Sequence, residues 1–241
     1  MSSFFDFLKS LFSYDYKKNA ISNPYPYLYD SKYGTKSTST FSTKVNPTGT
    51  SMLIVGHSGN IGAGSWNEII AKKYNMKRTN LAVGGKQTDT DLQVVKKFFS
   101  NPSVKSPEVV FIYSGLNDIW SGKKIDNVAA NQQAVIDLVR ARGAKRVYFI
   151  LGYDGFKVNK GINVSGFARG TTQADIEKYK GWFADYQKNI GGKLKNVIIV
   201  PVETTITRAD SYDGLHLNSS GMKKFANHVD NSIFSSTGTK I

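Results

Sequence analysis

The sequence predicts a three-layer α/β/α sandwich built on a five-stranded parallel sheet, and three observations carry that expectation. From Ser51 onward, short apolar runs alternate with stretches of helical periodicity. The runs are apolar at nearly every position, as strands covered on both faces are. Each interval between runs is long enough to hold the helix that parallel neighbours require.

Taken in order, Met52–Val55 is the first strand, and Gly62–Tyr74 is a helix with Trp66, Ile69, Ile70 and Tyr74 on one side. Thr79–Val83 is a second strand, followed by a helix over Asp89–Phe99 that turns Leu92, Val95, Phe98 and Phe99 inward. Val109–Tyr113 is a third strand, and Asn127–Arg142 a helix stopped by Gly143. Arg146–Leu151 is a fourth strand, Gln173–Ile190 a long helix followed by glycine, Asn196–Val202 a fifth strand and Asn218–Phe234 the closing helix. The Gly-, Asn- and Lys-rich interval Gly152–Thr172 follows the fourth strand and is expected to overhang the site. There it either shapes substrate access or is a plain surface insertion.

Residues 1–50 differ from the rest. Phe4, Phe5, Leu8, Leu11 and Phe12 fall at helical spacing, which suits either a helix packed on its own domain or one that docks on a protein partner or membrane surface. Asn23-Pro24-Tyr25-Pro26-Tyr27 is extended, and Ser37–Thr43 is of hydroxyl-rich linker type, so 1–50 is read as a polar arm and a docking segment. The N-terminus lacks a basic region and a small-residue cleavage site, so synthesis is expected to be cytoplasmic, with the product free or incorporated in a virion or other assembly. No run reaches the roughly 18 apolar residues of a membrane span.

Lys and Arg total 32 against 18 Asp and Glu, a formal charge of +14. Such a surface favours anionic surroundings, but the basic residues are scattered, so no specific nucleic acid is expected. The absence of cysteine excludes disulfides, thiolate metal sites and a Cys nucleophile.

Ligand sites of parallel sheets lie beyond the carboxyl ends of the strands. The first strand ends in Gly56-His57-Ser58-Gly59-Asn60. A serine in a glycine-flanked turn is either a helix cap or a nucleophile with an exposed hydroxyl and an N–H placed for an oxyanion. The second strand ends in Asn80…Gly84-Gly85, where a backbone N–H can join an oxyanion hole or simply turn the chain. The third runs into Gly115-Leu116-Asn117-Asp118, which is turn chemistry or an amide aimed at the site. Before the closing helix stands Asp213-Gly214-Leu215-His216. Its spacing puts the carboxylate beside the imidazole, leaving Nε2 to accept a proton from Ser58. The chain has 3 histidines, and His228, inside the closing helix, reads as structural.

Those four blocks, in this order, resemble the SGNH (GDSL-type) hydrolases over roughly Ser51–Phe234, and Asp213–Gly221 is especially similar to that family's last block. The resemblance implies a flavodoxin-like hydrolase domain over 51–241 and a carboxylic ester hydrolase that needs no cofactor or metal. It implies Ser58 as nucleophile, His216 as base and Asp213 as the group that orients it. It also implies the N–H groups of Ser58 and Gly85 and the side chain of Asn117 as oxyanion donors, with Gly84 the lesser choice. The family block begins Gly-Asp-Ser, whereas His57 stands here in place of the Asp. This substitution either only bonds nearby backbone or tunes substrate choice or the pH profile. His57, Trp120 and Phe156 are taken as substrate contacts.

The expected substrate is an acylated glycan or small ester, with carbohydrate O-deacetylation preferred. A longer acyl chain would lie along Trp120, Phe156 and Phe167. The rival reading is a structural or glycan-binding subunit on the same fold, such as a phage tail or baseplate component. A dinucleotide turn and a P-loop fail on spacing at Gly59–Gly64, and a metallohydrolase needs more clustered ligands than the histidines supply.

Overall fold

The computed structural model describes residues 47–153, 173–212 and 216–234. The N-terminal arm up to residue 46 and most of the Gly152–Thr172 interval lie outside the described residues. Five strands form one parallel sheet in the order β2-β1-β3-β4-β5, with β1 at Ser51–Gly56, β2 at Lys77–Asn80, β3 at Val109–Tyr113, β4 at Arg146–Ile150 and β5 at Ile198–Val200. The helices are α1 (Trp66–Lys73), α2 (Thr88–Phe98), α3 (Leu116–Trp120), α4 (Ile125–Ala141), α5 (Gln173–Lys193) and α6 (Ser219–Ile233).

The period-2 alternation of strand side chains divides the core into two layers. Met52 and Ile54 of β1 and Phe111 of β3 face α1 and α6, where Trp66, Ile70, Phe225 and Val229 are buried. Leu53 and Val55 of β1 and Val110 and Ile112 of β3 face α2, α4 and α5, meeting Val95, Ile136 and Ile190. Trp66 is fully buried and sets its ring edge-on to Phe111 and Phe225. Lys73 and Tyr74 at the end of α1 both reach Asp230 of α6, at 2.8 and 2.5 Å. No helix among the described residues is long and apolar enough to cross a membrane.

The expected elements are present, with shifts at their ends. The second strand stops at Asn80 instead of reaching Val83, because Asn80 Oδ1 takes the Ala82 N–H at 3.0 Å and bends the chain. Ladder-like bonds nevertheless continue from Leu81 and Val83 to the Ile54 and Gly56 carbonyls. The first helix begins at Trp66, not Gly62, since Gly62 and Gly64 have φ of 108° and 71°. Helix α5 runs through Gly191 and Gly192 to Lys193, and α3 was not anticipated.

Helix α6 is joined to the turn before it by close contact. A Cβ at Gly221 would lie 2.2 Å from the Asp210 carbonyl oxygen, whereas one at Gly181 of α5 would meet nothing within 4 Å. Gly221→Ala is therefore expected to destabilise the protein by about 1–3 kcal/mol. Gly181→Ala is expected to stabilise it by about 0.5–1 kcal/mol through helix propensity. Urea unfolding of both variants checks the pair.

Candidate active site

The turn that carries Ser58 is fixed by close packing and by buried polar groups. At Gly56 φ is 139° and a Cβ would stand 1.8 Å from the Tyr113 carbonyl oxygen, so only glycine lets the chain leave β1 against β3. Ser58–Asn60 then form a 3-10 turn. Asn60 is fully buried and donates its amide hydrogens to the carbonyls of His57 (3.1 Å) and Tyr113 (2.9 Å). Its own carbonyl accepts from the side chains of Asn67 (2.8 Å) and Asn80 (2.9 Å). The turn is thus tied to β3, α1 and the end of β2 at once.

His57 closes the back of this turn. Its Nδ1 accepts the Gly59 N–H at 3.1 Å, and its ring packs on Tyr113 with centroids 4.4 Å apart. Burial, together with the nearby charge of His216, lowers its pKa to about 3, so the ring is neutral. With Nδ1 accepting, the proton sits on Nε2, which has no partner among the described residues. At 3% exposure His57 cannot meet a substrate. The expectation of a substrate contact gives way to a cap on the Ser58 turn.

His216 arrives on a second rigid turn. A capping box over Thr207–Asp210 begins it. Asp210 accepts the Thr207 N–H (2.9 Å), the Ser220 hydroxyl (2.9 Å) and the Lys224 ammonium (2.7 Å). Burial alone would raise the Asp210 pKa, but Lys224 and these hydrogen bonds hold it at about 2. Ser211 Oγ and the Tyr212 N–H both donate to the His216 carbonyl, at 2.7 and 3.2 Å. Asn218 caps α6 by accepting the N–H groups of Ser220 and Gly221. The outcome is one contact across 158 residues of sequence: Ser58 Oγ lies 3.1 Å from His216 Nε2. Both line a cleft of about 370 Å³ with Ile61, Tyr153, Tyr212 and Met222. Asp213 and Phe156 lie outside the described residues.

On the other side of Ser58, a Cβ built on Gly84 would stand 3.9 Å from the Ser58 Cβ, and Gly85 follows with φ 67°. Asn117 is in the first turn of α3 and gives one amide hydrogen to the Lys86 carbonyl at 2.7 Å. This block is anchored from below. Asp118 accepts the N–H and hydroxyl of Thr88 (2.9 and 2.8 Å), and Tyr186 and Gln132 both donate to the Ser114 carbonyl (2.7 and 3.2 Å). The Ser114 hydroxyl donates to the buried Asp91, whose Oδ1 has no partner among the described residues. Burial, reinforced by Asp118 and Asp89 and opposed by the Ser114 bond, raises the Asp91 pKa to about 7.

Trp120 closes α3 and does not line the cleft. His228 Nε2 lies 2.8 Å from the Pro201 carbonyl oxygen, away from the cleft. Sequence reasoning missed Asn60, Asp91 and Tyr212. Asn60 carried a signal, since a polar residue two after the serine has turn backbone within reach of its amide. Asp91 reads as an ordinary first-turn acid of α2 until the fold buries it.

A five-stranded parallel sheet carrying a hydrogen-bonded serine–histidine pair beyond its carboxyl ends is the architecture of an SGNH-type hydrolase. The profile of the GDSL-like lipase/acylhydrolase family matches residues 46–224, and the chain belongs to that family. Solved structures share the fold at low identity. TesA is 18% identical with a TM-score of 0.52, covering 76% of this chain and 97% of its own. A GDSL-like lipase from Bacteroides thetaiotaomicron is 15% identical at 0.52, covering 79% and 90%. A lipolytic protein of the G-D-S-L family, described as putative, from Desulfitobacterium hafniense is 13% identical at 0.52, covering 76% and 99%. No curated protein matches the chain.

The two buried titrating groups make opposite contributions to stability. The raised Asp91 pKa gives stability that is fully present below pH 3.8 and lost as pH rises through about 7. The depressed His57 pKa gives stability that is present above pH 6.5 and lost as pH falls toward about 3. Relative to Asp91→Asn, the wild type should lose stability as pH rises across this window. Relative to His57→Asn, whose Oδ1 can accept the Gly59 N–H in place of Nδ1, it should lose stability as pH falls. Denaturant titrations at a series of pH values measure both differences.

Proposed function

We propose that this protein is a serine esterase that removes a small acyl group, preferentially acetate, from the hydroxyl of a carbohydrate. The observation that carries the reading is the 3.1 Å contact between Ser58 Oγ and His216 Nε2 at the wall of an open cleft. A hydroxyl bonded to an imidazole is the arrangement that activates an alcohol as nucleophile.

In this reading Ser58 Oγ attacks the ester carbonyl as its proton passes to His216 Nε2. The oxyanion is met by the N–H groups of Ser58 and Gly85 and by the second amide hydrogen of Asn117, the first being held by Lys86. The protonated His216 then delivers its proton to the departing alcohol oxygen, leaving an acyl-Ser58. Water activated by the same imidazole releases the acid. Asp213, three residues before His216, takes the Nδ1–H and holds the ring in the tautomer that leaves Nε2 free to accept. An open cleft beside a basic protein suits a small acyl group on a polar glycan. Residues 1–50 serve as the docking arm that places the domain in a larger assembly, a virion being one such setting.

Ser58→Ala should lower turnover of vinyl acetate by on the order of 10³-fold or more. Asn117→Ala should lower it by about 10²- to 10³-fold with little change in unfolding midpoint. Wild-type rates in Ser58→Ala would remove the enzyme reading. A fall below about threefold in Asn117→Ala would remove that residue from the oxyanion site.

A further inference from the structure

We propose that Tyr212 is the platform on which a sugar ring of the substrate stacks, so that this side chain selects the alcohol half of the ester. The inference rests on the esterase reading of Ser58 and His216 and goes beyond it by naming what the cleft recognises.

Tyr212 is 66% exposed, whereas Trp182, the other exposed large apolar side chain among the described residues, is 37% exposed. The wall of the cleft therefore includes an aromatic side chain that solvent reaches directly. The backbone of Tyr212 is anchored beside His216. Its N–H donates to the His216 carbonyl at 3.2 Å, and the plane of the Tyr212 ring lies 13° from that of the imidazole with centroids 5.8 Å apart. It is therefore a flat apolar face, set parallel to the base and forming part of the cleft wall.

The direction of proton transfer decides which half of the ester lies there. When the tetrahedral intermediate collapses, the bond from carbon to the alcohol oxygen breaks and that oxygen takes the proton from His216 Nε2. The leaving alcohol must lie on the imidazole side of Ser58, and Tyr212 is the ring alongside that imidazole. The acyl group and the oxyanion lie on the other side, toward Gly84 and Asn117.

The cleft also has the polarity that a sugar ring needs. A pyranose has an apolar C–H face and a rim of hydroxyls. Tyr212 offers the flat apolar contact, while the Ala63 backbone, the Gly64 carbonyl and the Ser219 hydroxyl supply the polar edge for the rim, the Gly64 N–H being taken by Glu68 and the Asn218 side chain by its helix cap. A long acyl chain would instead require an enclosed apolar slot.

The test compares hydrolysis of glucose pentaacetate with that of ethyl acetate, whose alcohol has no ring, in wild type, Tyr212→Ala, Tyr212→Phe and Tyr212→Trp. Binding of glucose pentaacetate to Ser58→Ala, with and without Tyr212→Ala, is followed by saturation-transfer NMR. In Tyr212→Ala the ratio of kcat/KM for the sugar ester to that for ethyl acetate should fall about tenfold, mainly through KM. Phe and Trp, which keep the aromatic face, should restore it. An equal fall on both esters would show that Tyr212 only seats His216 and would overturn the proposal, as would failure of Phe and Trp to restore the ratio. Ser58-dependent hydrolysis of ethyl acetate with an unmoved ratio removes the platform and keeps the esterase. Tyr212-dependent binding to Ser58→Ala, with no hydrolysis of either ester by wild type, removes the esterase and keeps the platform.

Discussion

Asn60 commits its amide hydrogens to the carbonyls of His57 and Tyr113, and its own carbonyl accepts from two further asparagines. Asn60 and Asn67 are enclosed by the core, where a carbonyl that loses its donor costs about 1–3 kcal/mol, and Asn80 closes the network from the exposed edge strand β2. The Ser58 turn therefore cannot relax independently of the sheet. The β1–β3 register pairs Gly56 with Tyr113, Tyr113 sets the floor of the turn, and Ser58 stands where that register puts it. A flexible serine would lose the orientation that makes intramolecular proton transfer efficient.

The His216 side follows the same logic with charge in place of amides. Asp210 is nearly enclosed, so its carboxylate is tolerable only because Thr207, Ser220 and Lys224 satisfy it. These bonds join the turn that carries His216 to the first turns of α6. Gly221 allows the Asp210 carbonyl to approach that helix more closely than any side chain would permit. Two turns, each locked to its own layer, bring hydroxyl and imidazole within hydrogen-bond distance.

His57 shows how a departure from the family pattern is absorbed. The residue before Ser58 caps the turn by accepting the Gly59 N–H on its imidazole Nδ1. The cost is a buried Nε2–H with no partner among the described residues and a ring that must remain uncharged beside His216. Its role is thus internal to the turn. On the opposite side, Asp91 beneath Ser114 is the corresponding buried group, held close to its protonated form by burial among other carboxylates.

Strand number, parallel direction and the position of the Ser58, Gly85 and Asn117 blocks at strand ends were legible in the sequence. The central strands β1, β3 and β4, buried on both faces, leave nearly unbroken apolar runs, whereas the edge strand β2 is polar and mostly exposed; the turns that follow the strands need Gly, Ser and Asn for local reasons of backbone geometry. His216, just before the closing helix, was legible in the same way. What the sequence could not show was distance. Whether His57 faces the cleft or the core, whether Trp120 lines the site, and whether Asp91 is an exposed helix acid or a buried one depend on which layers close over each residue. Pairing across the sheet and packing of α3, α5 and α6 decide that. The chain by itself determined which residues can do the chemistry. Only the tertiary structure, by burying His57 and Asn60 and leaving Tyr212 beside His216 in the open, decided which of them hold the turn and which line the cleft. Burial depends on contacts far apart in sequence, and no local pattern encodes them.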